Sequence, residues 1–159
     1  MTQADKNRTN RMLEILKEHE DLKKIFNTIF NKLKKEETLL DEFHIKKCEL
    51  NSEKTAMQFE VIGNVYILEY SIVQEKGQNH LIGKIKLFKI KNDIDNVIGK
   101  KKKSPLNTEP NKVNIWFDEE GLYLNGHRNK AYEINKYMPR QLLIKIMSLI
   151  FLKEGYLED

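Results

Sequence analysis

The hydrophobic period of this chain changes near Phe43, from three-to-four residues to two. That switch restricts the fold to a helix leading into a sheet. Met12, Ile15, Leu16, Leu22, Ile25, Phe26, Ile29, Phe30 and Leu33 recur at helical steps and line one face of a helix. Lys, Glu and Asn fill the other face. The pattern predicts a helix over 9–36, capped by Thr9 or Asn10, whose side-chain oxygens can accept free first-turn amides. A break near His19–Asp21 is an alternative.

Beyond Phe43, Met57, Phe59 and Val61 alternate with Gln58 and Glu60, as in a half-buried strand. Gly63-Asn64 reads as a two-residue turn. Tyr66, Leu68, Tyr70 and Ile72 resume the alternation, and Lys76 to Asn79 marks the next turn. The expected strands are 43–50, 55–62, 65–74 and 81–90, a four-stranded meander over 43–90. Short turns require antiparallel neighbours, because parallel ones need long crossovers. In the fourth strand Ile85 and Leu87 share one face, then Phe88 and Ile90 the other. A bulge near Leu87–Phe88, or burial on both faces, reconciles them.

Residues 92–112 carry Lys100 to Lys103, two prolines and few apolar side chains, and read as a lysine-rich loop. A hairpin is expected over 113–134. Val113, Ile115 and Phe117 alternate with Asn114 and Trp116, Asp118 to Gly121 makes the turn, and Leu122-Tyr123-Leu124 returns. Asn125-Gly126 is a further turn signal, and 131–134 a further short strand. Pro139 opens a last helix over 139–153, which stops before Gly155. Its polar stripe is only Gln141, Lys145 and Ser148, so it needs cover on more than one side. The cover is either the N-terminal helix and the sheet, or a second subunit in a homodimer. The expected class is α+β, one domain of 159 residues, with both helices on one face of a bent antiparallel sheet.

Charge is concentrated. The formal net charge is +4, yet residues 76–112 hold ten positive against three negative charges. Lys84, Lys86, Lys89 and Lys91 lie along one strand, with Lys100, Lys101, Lys102 and Lys103 beyond it. Lysine neutralises phosphate without reading sequence. No aromatic ladder accompanies these lysines, apart from Phe88, so a single-strand stacking platform is missing. Lysines on edge strands also serve to block aggregation. Trp116, the sole tryptophan, is a candidate interaction anchor if its face is exposed. Tyr123, on the neighbouring strand, could join it.

Catalytic signatures are sparse. The four histidines show no metal-ligand spacing, and a single Cys48 allows neither an intrachain disulfide nor a thiol zinc site. Cys48 in a strand reads as packing rather than as a nucleophile. There is no nucleophile elbow and no phosphate loop. Asp118, Glu119 and Glu120 read as a solvated turn rather than a cation site. Glu60 and Glu69 with Lys84 could in principle be arranged as in a metal-dependent nuclease.

No cofactor is expected. The opening residues lack a secretory pattern, and the apolar run 142–152 spans about 16 Å, too short for a bilayer. The expected location is the cytoplasm, with no membrane partner. Lys, Asn and Ile abundance points to an AT-rich coding genome. The leading expectation is a non-enzymatic protein-binding accessory or inhibitor, from a phage or mobile element of an AT-rich bacterium. Its contact residues would be Trp116, Tyr123, Lys84, Lys86 and Lys100–Lys103. The alternative is sequence-independent DNA or RNA binding through the lysines of 84–103, and the third reading is a cryptic metal-dependent nuclease.

Overall fold

The computed structural model describes residues 1–53, 55–74, 79–92, 101–106, 115–124, 131–132 and 138–158, with backbone alone at 91–92, 101–102 and 131–132. The chain is α+β, with an antiparallel curled sheet and two long helices.

Helix α1 runs Gln3–Lys34 without a break. It starts earlier than the periodicity suggests because Thr2 and Asp5 close a capping box. The Asp5 amide donates to Thr2 Oγ1 at 3.1 Å, and the Thr2 amide donates to Asp5 Oδ2 at 3.2 Å. Two first-turn donors are thereby satisfied by side chains. The Thr2 bonds hold the Asp5 carboxyl below its ordinary range. Thr9 is interior and donates back to the Asp5 carbonyl at 2.9 Å. Leu22, Phe26, Ile29, Phe30 and Leu33 are buried, each burial being worth roughly 1.5–3 kcal/mol. Met12, Leu13 and Leu16 are exposed, because the first four turns run past the core.

A short helix α2, Glu37–Glu42, occupies the connection. Strand β1, Lys46–Leu50, therefore begins three residues later than expected. It carries a bulge between Lys46 and Glu49, with Lys47 at φ 54°. The strands β2, Ala56–Val61, β3, Asn64–Gln74, and β4, Leu81–Asn92, complete the expected meander. The β2–β3 turn is Ile62-Gly63, one residue earlier than expected. Both take positive φ, at 47° and 76°, and Val61 pairs with Asn64. A tight hairpin needs two such residues to match the strand twist, so a β-branched residue is held in a costly region. The β3–β4 register is unbroken from Val65–Ile90 to Gln74–Leu81. The phase shift at Phe88 is therefore burial on the second face, not a bulge.

The lysine-rich stretch contains a strand. β5, Lys101–Pro105, pairs antiparallel with the far half of β4, which corrects the loop expected over 92–112 at these five residues, while 93–100 and 107–112 lie outside the described residues. Main-chain pairing holds it, so it needs no alternating apolar residues. The Leu106 amide donates to the Leu87 carbonyl at 2.9 Å. By alternation Pro105, two-periodic with Lys103, faces its missing N–H away from β4, the only side a ladder tolerates. β6, Ile115–Asp118, takes the near half of the same β4 edge, and β7, Gly121–Tyr123, and β8, Ala131–Tyr132, follow. One long strand thus carries two partners end to end. The turns expected at Lys76–Asn79 and Asn125-Gly126 fall wholly or largely outside the described residues.

Helix α3, Met138–Lys153, closes the core. It ends in a Schellman motif. Tyr156 N–H donates to the Phe151 carbonyl and Gly155 N–H to the Leu152 carbonyl, with Gly155 at φ 82°. The Phe151 and Tyr156 rings meet edge-on at 6.0 Å. Leu142, Leu143, Ile146, Met147, Leu149 and Ile150 are all buried with α1 and the sheet, while Ile144 is exposed. Among the described residues no helix is long and apolar enough to cross a membrane.

The inner face of the sheet presents Met57, Phe59, Val61, Tyr66, Leu68, Ile85, Leu87, Ile115 and Phe117 to the helices. Gly83 pairs with Phe117 there, and the ring lies where a Cβ on residue 83 would be.

Candidate partner-binding face

Residues of opposite parity form the outer face of the sheet. Because Gly83 and Ile85 point into the core, Lys84 and Lys86 point away from it. Trp116 lies between the buried Ile115 and Phe117 and so points the other way, onto the face of Lys84 and Lys86. The register sets Lys84 directly opposite Trp116 on one side and Ser71 on the other. The Lys84 ammonium sits 5.2 Å from the Trp116 ring centre, within cation–π range. Partial burial pushes the Lys84 ammonium down, with Lys86 adding like-charge repulsion. Trp116 is half-buried.

Lys86 faces Glu69 in the register, but Glu69 bonds elsewhere. Lys103 reaches it at 3.3 Å and also lies 5.0 Å from the Phe88 ring centre. On the outer strands Lys47 meets Glu60 at 3.4 Å. Each carboxylate considered for nuclease chemistry is therefore held by its own lysine, and neither pairs with Lys84. A shallow groove of about 370 Å³ crosses β1, β2 and β3 on this side, lined by Leu50, Gln58, Ile67 and Glu69 among others.

Tyr123 lies directly opposite Trp116 on the neighbouring strand, but it is buried rather than exposed. It is 4% exposed and, like Ile82 at 1%, is buried outside the main core cluster. Its hydroxyl shares its one proton between Asp118 Oδ2 and Glu120 Oε2, each at 3.2 Å. Burial, then Asp118, pushes that hydroxyl well above its usual range. Asp118 Oδ1 also accepts the Glu120 amide at 2.8 Å, an Asx turn. The acidic run is thus engaged in closing its own hairpin. Among the described residues no group of three or more His, Cys, Asp or Glu converges as a metal site.

Of the basic run, Lys101 and Lys102 lie in β5, Lys103 joins the outer face, and Lys100 is outside the described residues. Lys89 departs from its neighbours. It has the parity of Ile85 and Leu87, faces the helices, and bonds Glu154 at 2.6 Å. Tyr66 donates to the same Glu154 oxygen at 3.0 Å, and a recess of about 110 Å³ opens beside it, lined by Lys89, Ser104, Leu106, Lys153 and Glu154. Burial first, and then Glu154, raises the Tyr66 hydroxyl far above its ordinary range. The sequence sets Lys89 along the same strand as Lys84 and Lys86. The odd step from 86 to 89 was the available signal, since it changes the face.

Cys48 is half-buried, its sulfur 3.4 Å from that of Met57, and burial pushes the thiol up. These are the marks of a packing residue. No family model, curated protein or solved structure matches this chain.

Proposed function

We propose that the protein is a non-enzymatic binding protein, an accessory or inhibitor that seats a protein partner on the outer face of its sheet. One observation carries this reading. Both long helices pack on the inner face, while the outer face mixes half-buried Trp116, Phe88, Ile67 and Ile90 with charged side chains. Aromatic and aliphatic surface bordered by charge is what protein interfaces use. A phosphate-tracking surface would be uniformly positive. Here Glu69 and Glu60 neutralise Lys103 and Lys47, so a protein partner is favoured over DNA or RNA.

The test is site-specific photocrosslinking in a lysate of the source organism. A photoreactive residue replaces Val73 on the outer face of β3 or, as control, Leu13 on α1. A discrete adduct from position 73 that is absent from position 13, and lost with Trp116→Ala, is expected. Equal labelling at both positions, or none at 73, removes the proposal.

A further inference from the structure

We infer that Ser71, Lys84, Lys86 and Trp116 form an anion subsite on the outer face that takes a carboxylate side chain of an acidic protein partner. The assignment rests on the outer face being the binding surface and names the chemistry recognised there.

Three observations converge on one spot. First, Lys84 and Lys86 stand two residues apart on the same face, about 7 Å along the strand. Among the described residues neither forms a salt bridge, whereas Lys47, Lys89 and Lys103 each hold a carboxylate. Two like charges at this spacing repel, and the one carboxylate opposite them, Glu69, is taken by Lys103. An incoming anion relieves that repulsion. Second, the Ser71 hydroxyl, directly across from Lys84, is buried without a hydrogen-bond partner. A buried hydroxyl without a partner is costly and uncommon, and once an arriving anion draws aside the side chains that cover it, a carboxylate oxygen would accept its proton. Third, Trp116 flanks Lys84 on the other side. Its ring limits water access to the ammonium, which strengthens attraction to an anion.

The arrangement suits a carboxylate better than a nucleic-acid backbone. The spot holds two cations, Lys84 and Lys86, and the Glu69 carboxylate directly opposite Lys86 would meet the next phosphate of a strand. A single acidic side chain fits between Lys84 and Lys86 and leaves Glu69 with Lys103.

Trp116 is the sole tryptophan, so its emission reports on this spot alone. The intact protein is titrated at about 50 mM salt, where charge attraction is little screened. The probes are hexaglutamate, inorganic phosphate and a twelve-residue oligothymidylate. Hexaglutamate is expected to change Trp116 emission saturably. Lys84→Gln with Lys86→Gln should weaken that binding at least tenfold, and Ser71→Ala severalfold. Lys6→Gln with Lys17→Gln on α1 should leave it unchanged.

No emission change with hexaglutamate overturns the subsite, as does binding that the Lys84/Lys86 substitutions leave intact. Tighter, equally lysine-dependent binding of oligothymidylate or phosphate overturns the carboxylate assignment in favour of phosphate. A Val73 photoadduct alongside a failed titration keeps the outer face as the interface while removing this subsite.

Discussion

Ile85 and Lys86 are neighbours on one strand and belong to different environments. Ile85 is fully buried and packs with α1, α3 and the inner strands. Lys86, half-buried, stands over a face where charged and apolar groups alternate and no described helix packs. The inner face is governed by packing, where each methylene has a neighbour. Around Lys86 the outer face is governed by solvent and charge, where side chains can change with little loss of stability, whereas Ile82 and Tyr123 on the same side are buried. A binding function can therefore be written on the outer face without disturbing the fold.

The contrast is sharpest in a paired substitution. Ile85→Ala should cost about 2–5 kcal/mol in chemical denaturation, through lost burial and a residual cavity. Lys86→Ala should stay within about 0.5 kcal/mol. Equal effects would mean that the outer face is also core.

A smaller effect is expected at Gly83, where a Cβ would overlap the Phe117 ring. Gly83→Ala should cost on the order of 1–3 kcal/mol, as overpacking does. Gly83→Ala combined with Phe117→Leu should recover part of that loss. An unchanged melting temperature for the single variant would show that the two inner strands can separate freely.

The smallest effect compares one tyrosine from each side. Tyr66 and Tyr123 both have hydroxyls raised above the ordinary tyrosine value of about 10. The folded state therefore holds the proton after the unfolded state has released it. Their contribution is complete below about pH 10 and is lost as pH rises above it, at no more than about 1.4 kcal/mol per pH unit for each group. Tyr66→Phe and Tyr123→Phe should each flatten the alkaline limb of a stability-against-pH curve. A limb unchanged in both would show that neither proton is retained on folding.

Much of the architecture was legible. The meander followed from period-two alternation joined by short turns, and the stop at Gly155 followed from a residue that accepts positive φ. Three places were not. The start of α1 depends on the reciprocal Thr2–Asp5 bonds, which lie ahead of any apolar periodicity. The Ile62-Gly63 turn uses a residue whose own preference argues against it, so neighbouring strands decided its position. β5 is built from lysines that resemble a loop, since hydrogen bonding to β4 rather than burial makes it a strand.

The candidate site divided in the same way. Lys84, Lys86 and Trp116 could be placed on faces from alternation alone. Ser71 carried no signal, because a serine in a strand is ordinary until its hydroxyl is found buried and unpaired. Tyr123 looked like a surface aromatic, yet its hydroxyl is tied to the hairpin turn that precedes it.

By itself the sequence determined the order of helix and strands, the two faces of each strand and the concentration of charge in one quarter of the chain. These follow from local periodicity and composition. Tertiary structure alone decided which face the helices took, and that β5 and β6 share one edge of β4. It also decided that Tyr66, Lys89 and Glu154 meet across 65 and 88 residues. The physical reason is that a period of two defines two faces without labelling either as core. That label comes only when distant apolar surfaces bury one another.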